Sequence, residues 1–152
     1  MFLEPKKLGH AMMLMVDSDD LKTVNDTYGH ETGDRYLCRM ADALRTVEAE
    51  NKIIARLGGD EFAMFIYGVK DDSKLQAYME RLKTVRSETV LALKNGEIFP
   101  VRFSVGYAFL KESADYHALL EKADSRMYAD KQKRKKTVDK TITRLSEREE
   151  VL

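Results

Sequence analysis

Leu57-Gly58-Gly59-Asp60-Glu61-Phe62 is the stretch that decides the fold. On either side, residues 52–57 (Lys-Ile-Ile-Ala-Arg-Leu) and 62–67 (Phe-Ala-Met-Phe-Ile-Tyr) both read as strands. Glycine reaches positive φ without a Cβ clash, so two glycines between two strands predict a tight hairpin. Asp60 and Glu61 are then carried at the exposed tip of a rigid scaffold, a place for a metal rather than a core. Gly-Gly-Asp is also an ordinary turn sequence, so the tip alone leaves a purely structural reading open.

A second acidic cluster changes the balance. Met12-Met13-Leu14-Met15-Val16 is an apolar run ending in Asp17-Ser18-Asp19-Asp20, the pattern of a buried strand that delivers carboxylates at its C-terminal end. Two strand-borne acidic clusters suit a divalent cation that takes oxygen ligands and phosphate. The plainer reading is that Asp17 or Asp19 caps a short helix that follows. Capping accounts for one acid and not for both clusters.

At 152 residues the chain is long enough for one domain with a real core. Lys plus Arg and Asp plus Glu both number 26, so no global field favours nucleic acid or a membrane surface. The single cysteine, Cys38, forms no intrachain disulfide and reads as a small buried hydrophobe on a helix. Residues 11–16 are far too short an apolar run to span a bilayer and lack signal-peptide flanks. The expectation is a cytoplasmic domain with no membrane contact of its own, even if a parent protein is membrane-anchored.

Outward from the hairpin, residues 31–50 place Leu37, Met40, Ala41, Leu44 and Val47 on one helical face. Residues 71–87 form a second amphipathic helix through Leu75, Tyr78, Met79, Leu82 and Val85, with Asp71, Asp72 or Ser73 as available caps. Residues 98–110 read as one long strand entered through Pro100. Residues 114–133 form a third helix burying Leu120, Ala123 and Met127. The order β-α-β-β-α-β plus a terminal helix predicts an α+β fold of the ferredoxin-like, palm type, an antiparallel sheet with helices on one face. The domain is expected over 11–136, with a lead-in at 1–10 and a tail at 137–152. Ser146-Glu147-Arg148-Glu149 has capping-box spacing three residues before the end, which suggests a piece of a longer protein.

Several ordered blocks resemble the GGDEF family of diguanylate cyclases. Gly58-Gly59-Asp60-Glu61-Phe62 matches its signature, and residues 17–34 match Asp-x-Asp-x-Phe-Lys-x-x-Asn-Asp-x-Tyr-Gly-His-x-x-Gly-Asp with Leu21 for the usual Phe. Ser104-Val105-Gly106, Ala123-Asp124 and Tyr128-Ala129-Asp130-Lys131 also fit. The resemblance implies joining of two GTP molecules into cyclic di-GMP with release of pyrophosphate, dependent on Mg²⁺ or Mn²⁺. It implies that Asp17 and Asp60 hold the metal with the Ser18 carbonyl, and that Glu61 is a further ligand or assists deprotonation of the ribose 3′-hydroxyl. Backbone amides of Asp20, Leu21 and Lys22 would face the terminal phosphates, where unpaired N–H groups attract anions.

By the same resemblance Asn25 and Asp34 would read the base. Guanine presents two donors, N1–H and an exocyclic amine, suited to one carboxylate, and its O6 and N7 accept from an amide. Asp34 could equally be a helix-dipole carboxylate, and Asn25 a turn residue before Gly29. The basic run at 131–136 reads on its own as a solvated helix terminus. The resemblance instead sends Lys131 and Lys135 to the triphosphate, with Lys135 standing where the family has arginine. A lysine there keeps the charge and loses the bidentate fork.

Two departures matter. The family's product-inhibition site uses Arg-x-x-Asp before the signature, where this chain has Ala49 and Lys52, so no allosteric product site is expected. The family's opening helix and its Asp-x-Leu-Thr-Gly-Leu-x-Asn-Arg segment are absent from the sequence. Catalysis implies a transient homodimer, since one site holds one GTP. The competing readings are a non-catalytic GTP-binding regulatory module and a structural dimerisation domain. The second of these would not need the polar pattern from Asp17 to Asp34.

Overall fold

The computed structural model describes residues 9–151. Strand β1 (His10–Ser18) leads through the short helix α1 (Leu21–Tyr28) into α2 (His30–Arg45). The hairpin β2 (Lys52–Gly58) and β3 (Glu61–Val69) follows, then α3 (Asp72–Glu88). A small hairpin, β4 (Val90–Ala92) with β5 (Ile98–Pro100), precedes β6 (Phe103–Phe109), a 3-10 turn (Leu110–Glu112) and the long helix α4 (Tyr116–Val151). The main sheet is antiparallel in the order β2-β3-β1-β6, which is the α+β plan the sequence predicts. The lead-in expected over 1–10 lies, up to residue 8, outside the described residues.

The hairpin turns where the glycines stand. Gly58 at φ 146° and Gly59 at φ 52° occupy backbone that a side chain would strain. The guanidinium of Arg56 donates to the Gly59 carbonyl at 3.0 and 2.5 Å, fixing the turn from the strand side. Asp71 caps α3 by accepting from the Lys74 amide at 3.1 Å.

Helices cover both faces of the sheet, not one as the sequence reading has it. Met12, Leu14 and Val16 enter a core with Tyr36, Met40 and Leu44 of α2 and Leu75 and Leu82 of α3. Ala11, Met13 and Met15, on the alternate positions, pack instead with Ala63, Ala108 and Leu119, Ala123 and Met127 of α4. A strand buried on both faces has to be apolar at every position, which is why β1 shows no alternation. On α4 the buried residue is Leu119 rather than Leu120, since 119, 123 and 127 keep a four-residue step on the sheet side.

Gly106 sets how close α4 lies. A Cβ there would stand 2.0 Å from the Ala123 carbonyl oxygen and 2.2 Å from the Met127 amide, both backbone atoms that cannot swing aside. Arg126 clamps the same helix by donating to Glu112 at 2.8 and 2.6 Å and to the Tyr107 carbonyl at 2.7 Å. That fork, with the Phe109 amide, holds the Glu112 carboxyl down to about 2.

Three further expectations are corrected. The long strand over 98–110 splits, because β5 pairs with β4 and the Val101 amide donates to the Thr89 carbonyl at 3.0 Å. The buried Tyr36 hydroxyl then accepts from the Arg102 amide, at 2.7 Å, and donates to its carbonyl, at 2.8 Å. Cys38 is exposed, on the side of α2 opposite Tyr36, Leu37 and Met40. Helix α4 continues to Val151, so Ser146–Glu149 start no new helix and the basic run at 131–136 is helix interior rather than a terminus.

Replacing Gly106 with alanine should therefore force α4 off β6. The expected loss is about 1–3 kcal/mol or more, the usual cost of overpacking, read as a lowered midpoint in denaturant unfolding. An unchanged midpoint would contradict the close approach.

Candidate functional site

Register builds the site. Asp17 pairs with Glu61 on β3 and with Ser104 on β6, so the three form a row across three strands. Asp17 continues the Met13 and Met15 side of β1 and therefore faces α4. The buried stripe of α4 continues past Met127 to Lys131 and Arg134, so the helix turns from apolar to cationic where the strands end in acids. Lys131 Nζ donates to Asp17 Oδ2 at 2.8 Å and to the Ser18 carbonyl at 2.9 Å. Arg134 Nε donates to Asp19 Oδ2 at 2.8 Å, and the Ser104 hydroxyl donates to the other oxygen of Asp19.

The hairpin tip joins this row. The Ser18 amide donates to the Asp60 carbonyl at 3.4 Å, closing the end of β1 onto the turn. Burial pushes the Asp60 carboxyl up, and the neighbouring Asp17 carboxylate pushes it further. Glu61 is raised in the same way, by burial and then by Asp17, Asp124 and Asp60. On Lys131, burial opposes the charge, but the Asp17, Asp19 and Asp60 carboxylates together outweigh it and the ammonium is held above its ordinary range. Carboxylates packed against one another are under electrostatic load that a cation relieves.

One atom states the need directly. Asp17 Oδ1 is buried with no hydrogen-bond partner among the described residues. Leaving a buried acceptor unmet costs about 1–3 kcal/mol, more when it is charged. Mg²⁺ binds through one or two carboxylates, keeps several waters and takes substrate phosphates for the rest. Asp17 and Asp60 with the Ser18 carbonyl are the donors here that could hold such an ion. Among the described residues no three acidic, histidine or cysteine side chains converge to ring a metal by themselves. Lys131 meanwhile engages Asp17 Oδ2 and the Ser18 carbonyl, so a cation reaching those atoms competes with its ammonium.

The remaining predicted residues divide. Of the three amides assigned to phosphate, Leu21's donates at 3.0 Å to the Ser18 hydroxyl, so Ser18 rather than Asp17 or Asp19 serves the start of α1. The side chain of Asp20, the N-cap residue, makes no cap bond, and its carboxyl is raised by burial and by Asp19. Asn25 lies against α2 at Gly33, where a Cβ would stand 1.7 Å from its Oδ1. Asp34 is exposed on α2, beyond its first turn. A cleft of about 720 Å³ opens beside the acid row, lined by Asp19, Asp20, Arg102, Lys131, Arg134 and Lys135 among others. Asn25 and Asp34 are not part of that lining. Lys52 donates to the Arg45 and Val47 carbonyls at 3.1 and 2.7 Å, serving the end of α2.

Arg134 and Arg102 escape the sequence reading. Carrying the 119, 123, 127 stripe forward along α4 would have pointed to Arg134, whereas nothing local marks Arg102.

The profile described as "Diguanylate cyclase, GGDEF domain" matches residues 4–137. The chain belongs to the GGDEF family. It is 38% identical over 124 residues to the diguanylate cyclase DgcN of Escherichia coli K12, covering 82% of this chain and 30% of that protein. It is 31% identical over 127 residues to DosC of the same strain, covering 84% and 27%. The chain thus spans less than a third of these curated relatives. Among solved structures, the GGDEF domain of YfiN (TpbB) from Pseudomonas aeruginosa superposes with a TM-score of 0.72 at 31% identity, over 82% of this chain and 77% of that one. The GGDEF domain of DgcB from Caulobacter crescentus, in complex with c-di-GMP, gives 0.70 at 30%, over 81% and 72%. No helix among the described residues is long and apolar enough to cross a membrane.

The raised Asp60 carboxyl fixes a sign. An acid whose folded pKa exceeds its unfolded value adds stability below the unfolded pKa, and that stability is lost as pH rises through the folded one. At neutral pH Asp60 is therefore a cost to the fold, and Asp60→Asn should raise the melting temperature. The gain should fade as pH falls to the ordinary aspartate range near 3.8. Thermal unfolding of both proteins across that interval checks it; a mutant that melts lower at pH 7 contradicts the repulsion.

Proposed function

We propose that this GGDEF chain is a diguanylate cyclase half-site that holds one GTP and condenses it with a second, held by another copy, into cyclic di-GMP. The single observation that carries the reading is the buried Asp17 oxygen, without a hydrogen-bond partner among the described residues, close to Asp60 and Glu61. Asp17, Asp60 and the Ser18 carbonyl would hold Mg²⁺ or Mn²⁺, with Glu61 beside them. The ion, when bound, supplies charge stabilisation at the α-phosphate and at the leaving pyrophosphate.

The chain's own residues do the rest. Asp34 accepts from the guanine N1–H and exocyclic amine, and Asn25 donates to O6 or N7. Lys131 and Lys135 pair with phosphate oxygens. Glu61, with its affinity for a proton increased by burial and by its acidic neighbours, accepts the proton of the ribose 3′-hydroxyl. The freed 3′-oxygen bonds to the α-phosphorus of the nucleotide opposite, the bond from that phosphorus to the bridging oxygen breaks, and pyrophosphate departs. The same step in the other direction closes the ring. Two copies must face each other for this, so the active species is a transient homodimer.

The grip of Lys131 on Asp17 and the Ser18 carbonyl favours a second reading. A site whose oxygens are already met by an ammonium could bind GTP as a regulatory module without turning it over.

Incubating the chain with GTP and Mg²⁺ and separating the products distinguishes the two. Cyclic di-GMP and pyrophosphate are expected, at a rate per chain that rises with protein concentration. Asp60→Ala should abolish product while leaving the circular dichroism spectrum intact. GTP recovered unchanged from a complex would support the regulatory module; undiminished product from Asp60→Ala would overturn the metal assignment.

A further inference from the structure

We infer that the terminal phosphates of the nucleotide are clamped by Arg102 and Arg134, two side chains that neither the signature motif nor the lysines of α4 point to. The inference rests on the GTP-binding reading above and goes beyond it in naming which groups hold the polyphosphate end.

The cleft beside the acid row carries six cationic side chains against three carboxylates. Asp130 is committed to Arg86 at 3.0 Å and to the Val105 amide at 2.9 Å. Lys131 donates to Asp17 and the Ser18 carbonyl, and reaches phosphate only by giving up part of that contact. Lys133 and Lys135 are exposed, with long side chains that would lose much rotamer freedom on fixing an anion. Arg134 differs in having its guanidinium anchored before any ligand arrives, and Arg102, exposed like the two lysines, in carrying a fork of donors from a backbone held in place.

Arg134 is anchored through its side chain. Asp19 takes Nε at 2.8 Å, and Ser104 holds the far oxygen of Asp19, so that carboxylate is satisfied on both sides. One edge of the guanidinium is thereby fixed, and neither terminal nitrogen makes a hydrogen bond among the described residues. Arg102 is anchored through its backbone. The Tyr36 hydroxyl accepts from its amide and donates to its carbonyl, and the Asp19 amide donates to the same carbonyl at 3.1 Å. Its guanidinium makes no hydrogen bond or ion pair among the described residues, and its charge is felt at Asp20. Both arginines line the cleft with Asp19 and Asp20, at the start of α1.

A guanidinium presents parallel donors at the spacing of two phosphate oxygens, and at Arg134 the contact with Asp19 spares part of the entropy of ordering it. Two such forks around one cleft match a group bearing several anionic oxygens, a tri- or diphosphate rather than a monophosphate. Asp19, Ser104 and Tyr36 are positioning residues in this arrangement, acting through the arginines.

Calorimetric titration tests this with guanosine 5′-(α,β-methylene)triphosphate, whose reacting bond is blocked, with GMP, and with inorganic tripolyphosphate, all in Mg²⁺. Arg134→Ala and Arg102→Ala should each weaken the triphosphate analogue and tripolyphosphate at least tenfold while changing GMP less than twofold. Arg134→Lys should recover part of the loss, which a merely structural role would not separate from Arg134→Ala at equal melting temperature. Lys135→Ala should cost less than either arginine. Triphosphate affinity within twofold of the parent in both arginine variants, with a larger loss in Lys135→Ala, overturns the inference. Binding of tripolyphosphate with this arginine dependence, but not of the guanine analogue, would keep the clamp and refute the guanine reading. Binding of neither overturns both.

Discussion

Successive side chains of β1 point to opposite faces of a sheet whose two faces are both buried, and Asp17 is the first position along it where a carboxylate replaces an apolar group. The strand lies between β3 and β6, so its backbone is paired on both sides and cannot shift register without turning every side chain over. Asp17 is consequently delivered to the α4 side and Ser18 to the α2 side, where its hydroxyl meets α1. The acid row, the contact with Lys131 and the start of α1 all inherit their positions from that one strand.

Gly106 and Lys131 are two ends of the same contact. Because Gly106 lets the α4 backbone come down onto β6, a residue one turn beyond Met127 arrives over Asp17. A salt bridge between partly buried groups is weak evidence of stability, since desolvation takes back much of the Coulomb energy. It is better read here as placement. The ammonium carries part of the load of three neighbouring carboxylates, and one oxygen of Asp17 still lacks a partner among the described residues.

The elements legible in the sequence were those set by neighbours in the chain. The glycine turn, the Leu37 to Val47 face of α2 and the Asp71 cap all depend on residues within a turn or two of one another. The split of the expected long strand depends on Tyr36, 66 residues away from Arg102, and no local pattern announces it. The two-sided sheet was readable in principle, because six consecutive apolar residues in β1, Ala11 to Val16, leave no face for solvent. Cys38 and Leu120 show the limit of a helical face read to the nearest residue, where a rotation of one position exchanges inside for outside. In the site, Asp17, Ser18, Asp60 and Glu61 lie together and Lys131 meets Asp17 and the Ser18 carbonyl, where the resemblance sends it to phosphate, while Asn25 and Asp34 stand outside the cleft lining. Arg134 and Arg102 went unread because their importance comes from Asp19 and Tyr36, which reach them only in three dimensions.

The central claim is that the end of β1 and the hairpin tip together form a cation site completed by nucleotide phosphate. Mn²⁺ tests it most directly, as a paramagnetic probe in amide-resolved NMR with the blocked triphosphate present. Line broadening should be strongest at residues 17, 18, 60 and 61 at one equivalent of metal, and should vanish from all four in Asp17→Asn. Broadening centred instead on the exposed acids Asp71 and Asp72, or unchanged by that substitution, would contradict the account.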